Sequence, residues 1–137
     1  MIQIREGNLV IMHSYNIPYL RVDVGGFLTV EQFQENLLNP KLWELVAEKS
    51  VKNLLINGSQ LHRFGTGDTE WLTSGFLQKA SAAGIGKVSV VVAGNVFNML
   101  VQVFNAYAAS GSNQQIEIRF FYDNQFYDGW ETVSWFE

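Results

Sequence analysis

The sequence predicts an α/β fold, with a mixed sheet of four or five strands and helices packed on it. Two short β-type runs, "NLVIMHSY" and "PYLRVDV", open the chain and are joined by a short polar segment, which favours an antiparallel pair. Two later runs, "VKNLLI" and "KVSVVVA", are β-branched and almost continuously apolar, which is typical of central strands covered on both faces. Helical patterns separate these later strands, so an antiparallel opening is followed by β–α units.

The second opening strand shows the pattern of a strand with one buried face. Its apolar residues alternate with polar or amphipathic ones: Leu20, Val22 and Val24 against Tyr19, Arg21 and Asp23. Strict alternation places the two sets on opposite faces of a strand. We therefore expect the three aliphatic residues to face the core.

A helix is expected after Gly25 and Gly26. Thr29 followed by Gln32 forms a capping box, the usual start of a helix. Three apolar residues then share one helical face: Val30, Phe33 and Leu37. Pro40 cannot lie inside a helix, so it should end this segment and leave "KLWELVAEKS" as a second helical piece.

The later helices follow from the same reasoning. Leu72, Phe76, Ala80 and Ala83 share a helical face, and Gly84 is expected to end that helix. "IEIRFF" predicts a further strand, after which Asp123 caps a last helix. Its inward residues are Phe126, Trp130 and Val133. A hairpin turning at Asn57 and Gly58 is the second choice, because the following "SQLHRFGTG" does not alternate cleanly.

Composition excludes several classes of protein. The chain has 137 residues, which predicts one domain over 1–137, and 47% hydrophobic with 16% charged residues excludes a disordered chain. The net charge of −4 and the scattered lysines and arginines argue against a nucleic-acid partner. The absence of cysteine removes thiol catalysis, disulfides and thiolate metal sites.

The expected location is the cytoplasm. The N-terminal "MIQIREGNLV" places an arginine and a glutamate where a signal peptide needs an apolar core. No apolar run approaches the roughly 18 residues that span a bilayer, so membrane insertion is not expected.

Five segments in order resemble the SpoIIAA-like proteins of the STAS/SEC14-like group, in particular its small single-domain bacterial members. The segments are "GGFLTVEQF", "VKNLLIN", "GDTEW", "AAGIGKVSVVV" and "IEIRFFYD", the last preceding a helix with Trp130. They cover nearly the whole chain after the first strand. The resemblance implies a STAS (SpoIIAA-like) type of fold with a four- or five-stranded mixed sheet. It also implies a role in regulation or binding rather than catalysis.

The segment "INGSQLHRFGTGDTEW", residues 56–71, departs from that family. STAS-type anti-sigma-factor antagonists carry an Asp-Ser-Ser/Thr-Gly stretch whose hydroxyl is phosphorylated, and this segment has none. Thr66 and Thr69, near a helix start, are candidates for a phosphate, or they simply cap the helix with Asp68. Asn57 stands where related small proteins often have an aspartate, which weakens an acid–base role. These four residues form the candidate regulatory loop.

No grouping in the sequence favours an enzyme. His62, Arg63 and Asp68 are the only cluster that suggests catalysis, and His62 is more simply a loop residue. "GTGD" lacks the Lys-Ser/Thr of a P-loop and the third glycine of a dinucleotide fingerprint. His13 and His62, separated and without an acidic cluster, make a poor metal site. We expect no catalytic residue, no metal and no cofactor.

The stretch between Val88 and Ile116 contains no charged residue. Within it, "NVFNMLVQVFNAYAA" predicts a helix with one narrow polar stripe and an apolar surface wider than a single buried face requires. The candidate interface or ligand residues of this helix are Phe97, Met99, Leu100, Val103, Phe104 and Tyr107. Neighbouring helices, a second copy of the chain or a lipid-like ligand would each cover that surface.

These observations together predict a non-catalytic regulatory or protein-interaction module that self-associates as a dimer. A protein partner is expected near the candidate regulatory loop. The alternative is a carrier or sensor of a small apolar, lipid-like ligand, which should show a cavity lined by Phe97, Leu100 and Phe104.

Overall fold

The computed structural model describes residues 2–13, 19–27, 30–58, 61–63, 75–92 and 116–122. The elements in chain order are β1 (Ile2–Glu6), β2 (Leu9–His13), β3 (Leu20–Val24), β4 (Gly26–Phe27), α1 (Val30–Leu37), α2 (Pro40–Lys49), β5 (Asn53–Gly58), β6 (Leu61–Arg63), α3 (Leu77–Ala82), β7 (Lys87–Val92) and β8 (Glu117–Tyr122).

Six strands form one mixed sheet in the order β1-β2-β3-β5-β7-β8. The first three are antiparallel neighbours, as predicted for β2 and β3, and β3, β5, β7 and β8 run parallel. β4 and β6 form a separate two-stranded parallel sheet. The mixed α/β architecture is therefore confirmed.

The predicted count of four or five strands is wrong, because β1 adds a sixth. β1 pairs with β2 across a turn at Gly7 and Asn8, with Ile4 opposite Ile11. It is a five-residue strand in which Ile2 and Ile4 alternate with Gln3 and Arg5, so a local strand signal is present in the sequence. Its pairing with β2 stabilises it, and that pairing is not visible in the local pattern.

Asn57 and Gly58 end β5 rather than turning a hairpin. β5 pairs in parallel with both β3 and β7, which leaves no antiparallel partner for it. The choice against a hairpin at these two residues is confirmed. The burial of β5 is also as predicted for a central strand, since Leu54, Leu55 and Ile56 are all at most 2% exposed.

Pro40 separates α1 from α2, as predicted. It is the first residue of α2, where its missing N–H is not needed. Asn39 caps this helix, because its side-chain oxygen accepts a hydrogen bond from the Lys41 backbone N–H at 2.9 Å. The buried residues of α2 are Leu42, Trp43, Leu45 and Val46. Leu37 of α1 is buried, while Thr29 and the side chains of Val30 and Phe33 lie outside the described part.

α3 ends as the sequence predicts, at Gly84. Gly84 has φ of +86°, and its N–H donates to Ser81 O at 3.1 Å, while Ile85 N–H donates to Ala80 O at 2.9 Å. This pattern is a Schellman motif, for which glycine is the favoured residue. Phe76 and Ala80 are buried as expected.

Two other expectations concern residues beside α3. Ala83 is exposed, which corrects its predicted place on the buried face. The reason is that it follows the last helical residue, Ala82. Leu72 is outside the described residues.

The ladder registers define two faces of the main sheet. Val22, Ile56 and Val90 are cross-strand neighbours on one face, and they share a hydrophobic core with buried residues of all three helices. We call the other the second face; it carries Asp23, Asn57 and Val91. Asn57 and Val91 are buried, so the middle of the sheet is covered on both faces.

The predicted last helix is not tested by the described residues. The segment with Asp123, Phe126, Trp130 and Val133 lies outside the described residues. No helix among those described is long and apolar enough to cross a bilayer.

Candidate functional site

A row of side chains crosses four strands on the second face. Arg5 of β1 lies opposite Val10 of β2, Val10 lies opposite Asp23 of β3, and Asp23 lies opposite Asn57 of β5. Paired residues in a sheet project from the same face, so these four side chains form one line. Three of the four are polar.

This row forms the wall of an open groove of about 350 Å³. The groove is lined by Arg5, Gly7, Asn8, Val10, Asp23, Val24, Gly25, Gly26 and Asn57. It lies at the carboxyl ends of β3 and β5, where the sheet changes from antiparallel to parallel pairing. The carboxyl ends of parallel strands are the edge at which open α/β sheets usually bind their ligands.

Asp23 is neutralised by Arg21. The Arg21 Nε donates to Asp23 Oδ1 at 2.8 Å, and its Nη2 donates to Oδ2 at 3.1 Å. Such a two-point pair satisfies both carboxylate oxygens and fixes the orientation of the two groups. The Asp23 carboxylate in the groove wall is therefore paired with the positive charge of Arg21.

Of the four residues of the candidate regulatory loop, Asn57 is the one within the described residues. It lies in the groove wall. It is 8% exposed and stands at the end of β5. A carboxamide has no charge to titrate and offers both a donor and an acceptor. Its position supports a binding role more than an acid–base role.

The floor of the groove is made where two turns meet. The Gly25 N–H donates to Asn8 O at 3.2 Å, which joins the β1–β2 turn to the end of β3. Gly26 has φ of +100°, and a Cβ there would lie 3.4 Å from Asn8 Nδ2. Because an L-residue is strained at this φ, the backbone conformation of the groove floor favours glycine at this position.

Glu6 anchors β1 to the start of α2. Its carboxylate accepts hydrogen bonds from Lys41 Nζ at 2.6 Å and from Asn39 Nδ2 at 2.8 Å. These bonds, the one from Lys41 first, lower the pKa of Glu6, and the same contact raises the pKa of Lys41. The anchor positions the strand that carries Arg5.

The described lining of the groove offers charged and hydrogen-bonding groups. Its lining residues include one guanidinium, two carboxamides and one carboxylate that is already paired. At neutral pH a guanidinium does not release its proton, and a carboxamide does not titrate. These groups can contact a ligand through hydrogen bonds and charge.

Sequence reasoning missed Arg5, Asp23 and the glycines of this site. In the sequence, Asp23 is one of the polar residues of an alternating strand, and Arg5 is a single charge in the N-terminal segment. The local signal for each is the same as for any exposed strand residue. Their convergence depends on pairing between strands.

Most of the predicted site residues lie outside the described part of the chain. This holds for Thr66, Asp68 and Thr69 of the candidate regulatory loop. It also holds for the predicted interface helix, with Phe97, Met99, Leu100, Val103, Phe104 and Tyr107. The backbone of His62 lies in β6, which corrects its assignment to a loop. The cause is the pairing of β6 with β4, two segments too short to show a strand pattern.

Among the residues that the structure describes, no group of three or more histidine, aspartate or glutamate side chains is placed to hold a metal ion. Comparison of the chain with protein-family models, with curated proteins and with solved structures finds no match.

Proposed function

We propose that this chain is a non-catalytic regulatory or protein-interaction module that contacts its partner through the groove beside Asn57. The observation that carries the proposal is the polar row of Arg5, Asp23 and Asn57 in the groove at the carboxyl ends of β3 and β5. The proposal agrees with the partner site expected from the sequence, since Asn57 belongs to both.

The state of Asp23 supports the non-catalytic reading. A general base needs a free lone pair directed at the substrate. Both oxygens of Asp23 accept hydrogen bonds from Arg21, so this carboxylate is engaged in an ion pair within β3. The regulatory character of the module and its STAS (SpoIIAA-like) type rest on the sequence resemblance.

The other parts of the proposal stay predictions from the sequence. Self-association as a dimer and the alternative carrier of an apolar ligand both depend on the helix with Phe97, Leu100 and Phe104. The groove itself does not favour an apolar ligand, because such a ligand would desolvate Arg5 and Asp23 without replacing their hydrogen bonds.

Photo-crosslinking tests the groove as the partner site. A photoreactive amino acid replaces Asn8, which is exposed at the groove, and in a control protein it replaces Glu48, which is exposed in the last turn of α2. Irradiation in the native cell should give a discrete adduct from position 8 and none from position 48. Equal adducts from both positions, or none from either, would contradict the proposal.

Native mass spectrometry of the purified protein separates the remaining alternatives. A clean dimer of bare chains supports the self-associating module. A small added mass that disappears on denaturation would favour the carrier instead.

A further inference from the structure

We infer that the groove holds an anionic group of its ligand, a carboxylate or a phosphate, and that Arg5 supplies the counter-charge. The inference rests on the proposed function in one respect, which is that the groove is the contact surface. It adds the chemical class of the group that is bound.

Arg5 is available for such a contact. Its side chain is exposed, it lines the groove, and it makes no ion pair with any residue that the structure describes. The adjacent acid, Glu6, faces the opposite side of the sheet and is bound to Lys41 and Asn39. The strand neighbour of Arg5 on the second face is the uncharged Val10.

The local charge also favours an anion. Arg5 and Arg21 carry two positive charges and Asp23 carries one negative charge, which leaves this part of the second face at +1. The whole chain is at −4. Because Arg21 occupies both oxygens of Asp23, the carboxylate offers little repulsion to an incoming anion.

The groove offers hydrogen-bond donors to such a ligand. The Arg5 guanidinium has five N–H donors and suits two-point recognition of carboxylate or phosphate. The Asn8 amide lies beside Gly26, and Gly7, Gly25 and Gly26 allow a ligand to approach the backbone closely. A volume of about 350 Å³ fits a charged terminal group or side chain rather than an extended segment.

An NMR titration with simple anions tests this inference. Sodium phosphate and sodium acetate are added separately to the ¹⁵N-labelled full chain, with sodium chloride holding the ionic strength constant. We expect saturable shifts at the amides of Gly7, Asn8, Gly25 and Gly26. Arg5→Gln should weaken the apparent affinity by about tenfold or more, the usual size of one charge-assisted contact. Arg5→Lys should lose less, because it keeps the charge.

Arg119→Gln is the matched control. Arg119 is an exposed arginine on the second face, in β8, five strand spacings from β1 or about 24 Å. Arg119→Gln changes the net charge by the same amount as Arg5→Gln. Arg119, however, lies farther from β1 than the electrostatic screening length at physiological salt. Arg119→Gln should leave the titration unchanged, and the spectra away from the groove should show that each variant is folded.

The outcomes separate this inference from the proposed function. A preference for phosphate indicates a phosphorylated ligand, and a preference for acetate indicates a carboxylate, and both support the inference. Absence of saturable shifts, or equal loss in Arg5→Gln and Arg119→Gln, overturns it. Crosslinking from position 8 is independent of these results, so a partner site without an anion would still be recognised as such.

Discussion

The Glu6 carboxylate lies 2.6 Å from the Lys41 ammonium, across the junction between the edge strand β1 and the first turn of α2. Asn39, which caps α2, donates to the same carboxylate. The contact therefore joins three features of the fold: an edge strand, a helix start and, one residue away, the arginine of the groove.

The first prediction concerns the pH dependence of stability. The pKa of Glu6 is lowered in the folded chain, chiefly by its hydrogen bond from Lys41 and then by that from Asn39. A lowered folded pKa stabilises the fold above the unfolded pKa of about 4.5, and this stabilisation is lost as the pH falls through the folded pKa. Glu6→Gln should therefore lower stability at pH 7 and flatten its decline below pH about 4.5.

Urea unfolding followed by circular dichroism between pH 3 and pH 7 measures this effect. Glu35→Gln is the control, because Glu35 is exposed on α1 and forms no ion pair among the described residues. It should keep the wild-type profile. A Glu6→Gln profile parallel to that of the wild type would disprove the role of the contact.

The second prediction concerns Trp43. Its indole N–H donates to the Leu37 carbonyl at 3.1 Å and so satisfies an acceptor in the last turn of α1. Its ring lies 5.9 Å from that of Phe76. Trp43→Phe keeps an aromatic ring but leaves the buried carbonyl without this donor, so unfolding free energy should fall by about 1–3 kcal/mol.

Chemical denaturation followed by far-ultraviolet circular dichroism measures the change. Phe76→Leu is a companion variant that keeps the indole bond and loses the ring contact, with an expected loss of about 1 kcal/mol. An unchanged unfolding free energy for Trp43→Phe would show that the hydrogen bond contributes nothing.

The third prediction concerns Ser89, in the middle of β7. It is fully buried, and its Oγ has no hydrogen-bond partner in the described structure. Burying an unpaired hydroxyl costs free energy, so Ser89→Ala should leave stability unchanged or raise it by about 1 kcal/mol. Val88→Ala at the preceding position should instead lower stability by about 2 kcal/mol, because it removes buried methyl groups.

Thermal and urea unfolding of the two variants provide the comparison. A loss of more than 1 kcal/mol in Ser89→Ala would mean that the hydroxyl has a partner in solution.

The fourth prediction concerns the end of α3. Gly84→Ala places a Cβ at φ of +86° and should destabilise the chain by about 1–2 kcal/mol. Gly86→Ala, two residues on, has an ordinary φ and open space around the new Cβ. It should be neutral or stabilise the fold by about 0.5 kcal/mol, because alanine lowers the conformational entropy of the unfolded chain. Calorimetric midpoints that move equally for both variants would contradict the conformational argument.

The parts of the fold that the sequence predicted are those with a strong local cause. The alternation of Leu20, Val22 and Val24 predicts their buried face, and the break at Pro40 and the end of α3 at Gly84 follow from backbone chemistry. β4 and β6 were not predicted, because segments of two and three residues are too short to show a strand pattern. β1 was not predicted either, although Ile2 and Ile4 alternate with Gln3 and Arg5.

The candidate site could be predicted only at one residue. Asn57 stood out because it ends a strongly apolar run, and the structure places it in the groove wall. Arg5 and Asp23 had no such signal, since each occupies an ordinary polar position of a strand.

The sequence by itself therefore determined the fold class, the antiparallel pair of β2 and β3, the central strands, the break at Pro40 and the end of α3 at Gly84. Periodicity, capping and the backbone limits of proline and glycine act over a few residues, so they can be read locally. Only the tertiary structure decided that Arg5, Asp23 and Asn57 form one row. That row depends on the register of three strand ladders that join residues 52 positions apart in the chain, from Arg5 to Asn57. Register is set by the packing of whole strands against the core, which no short stretch of sequence contains.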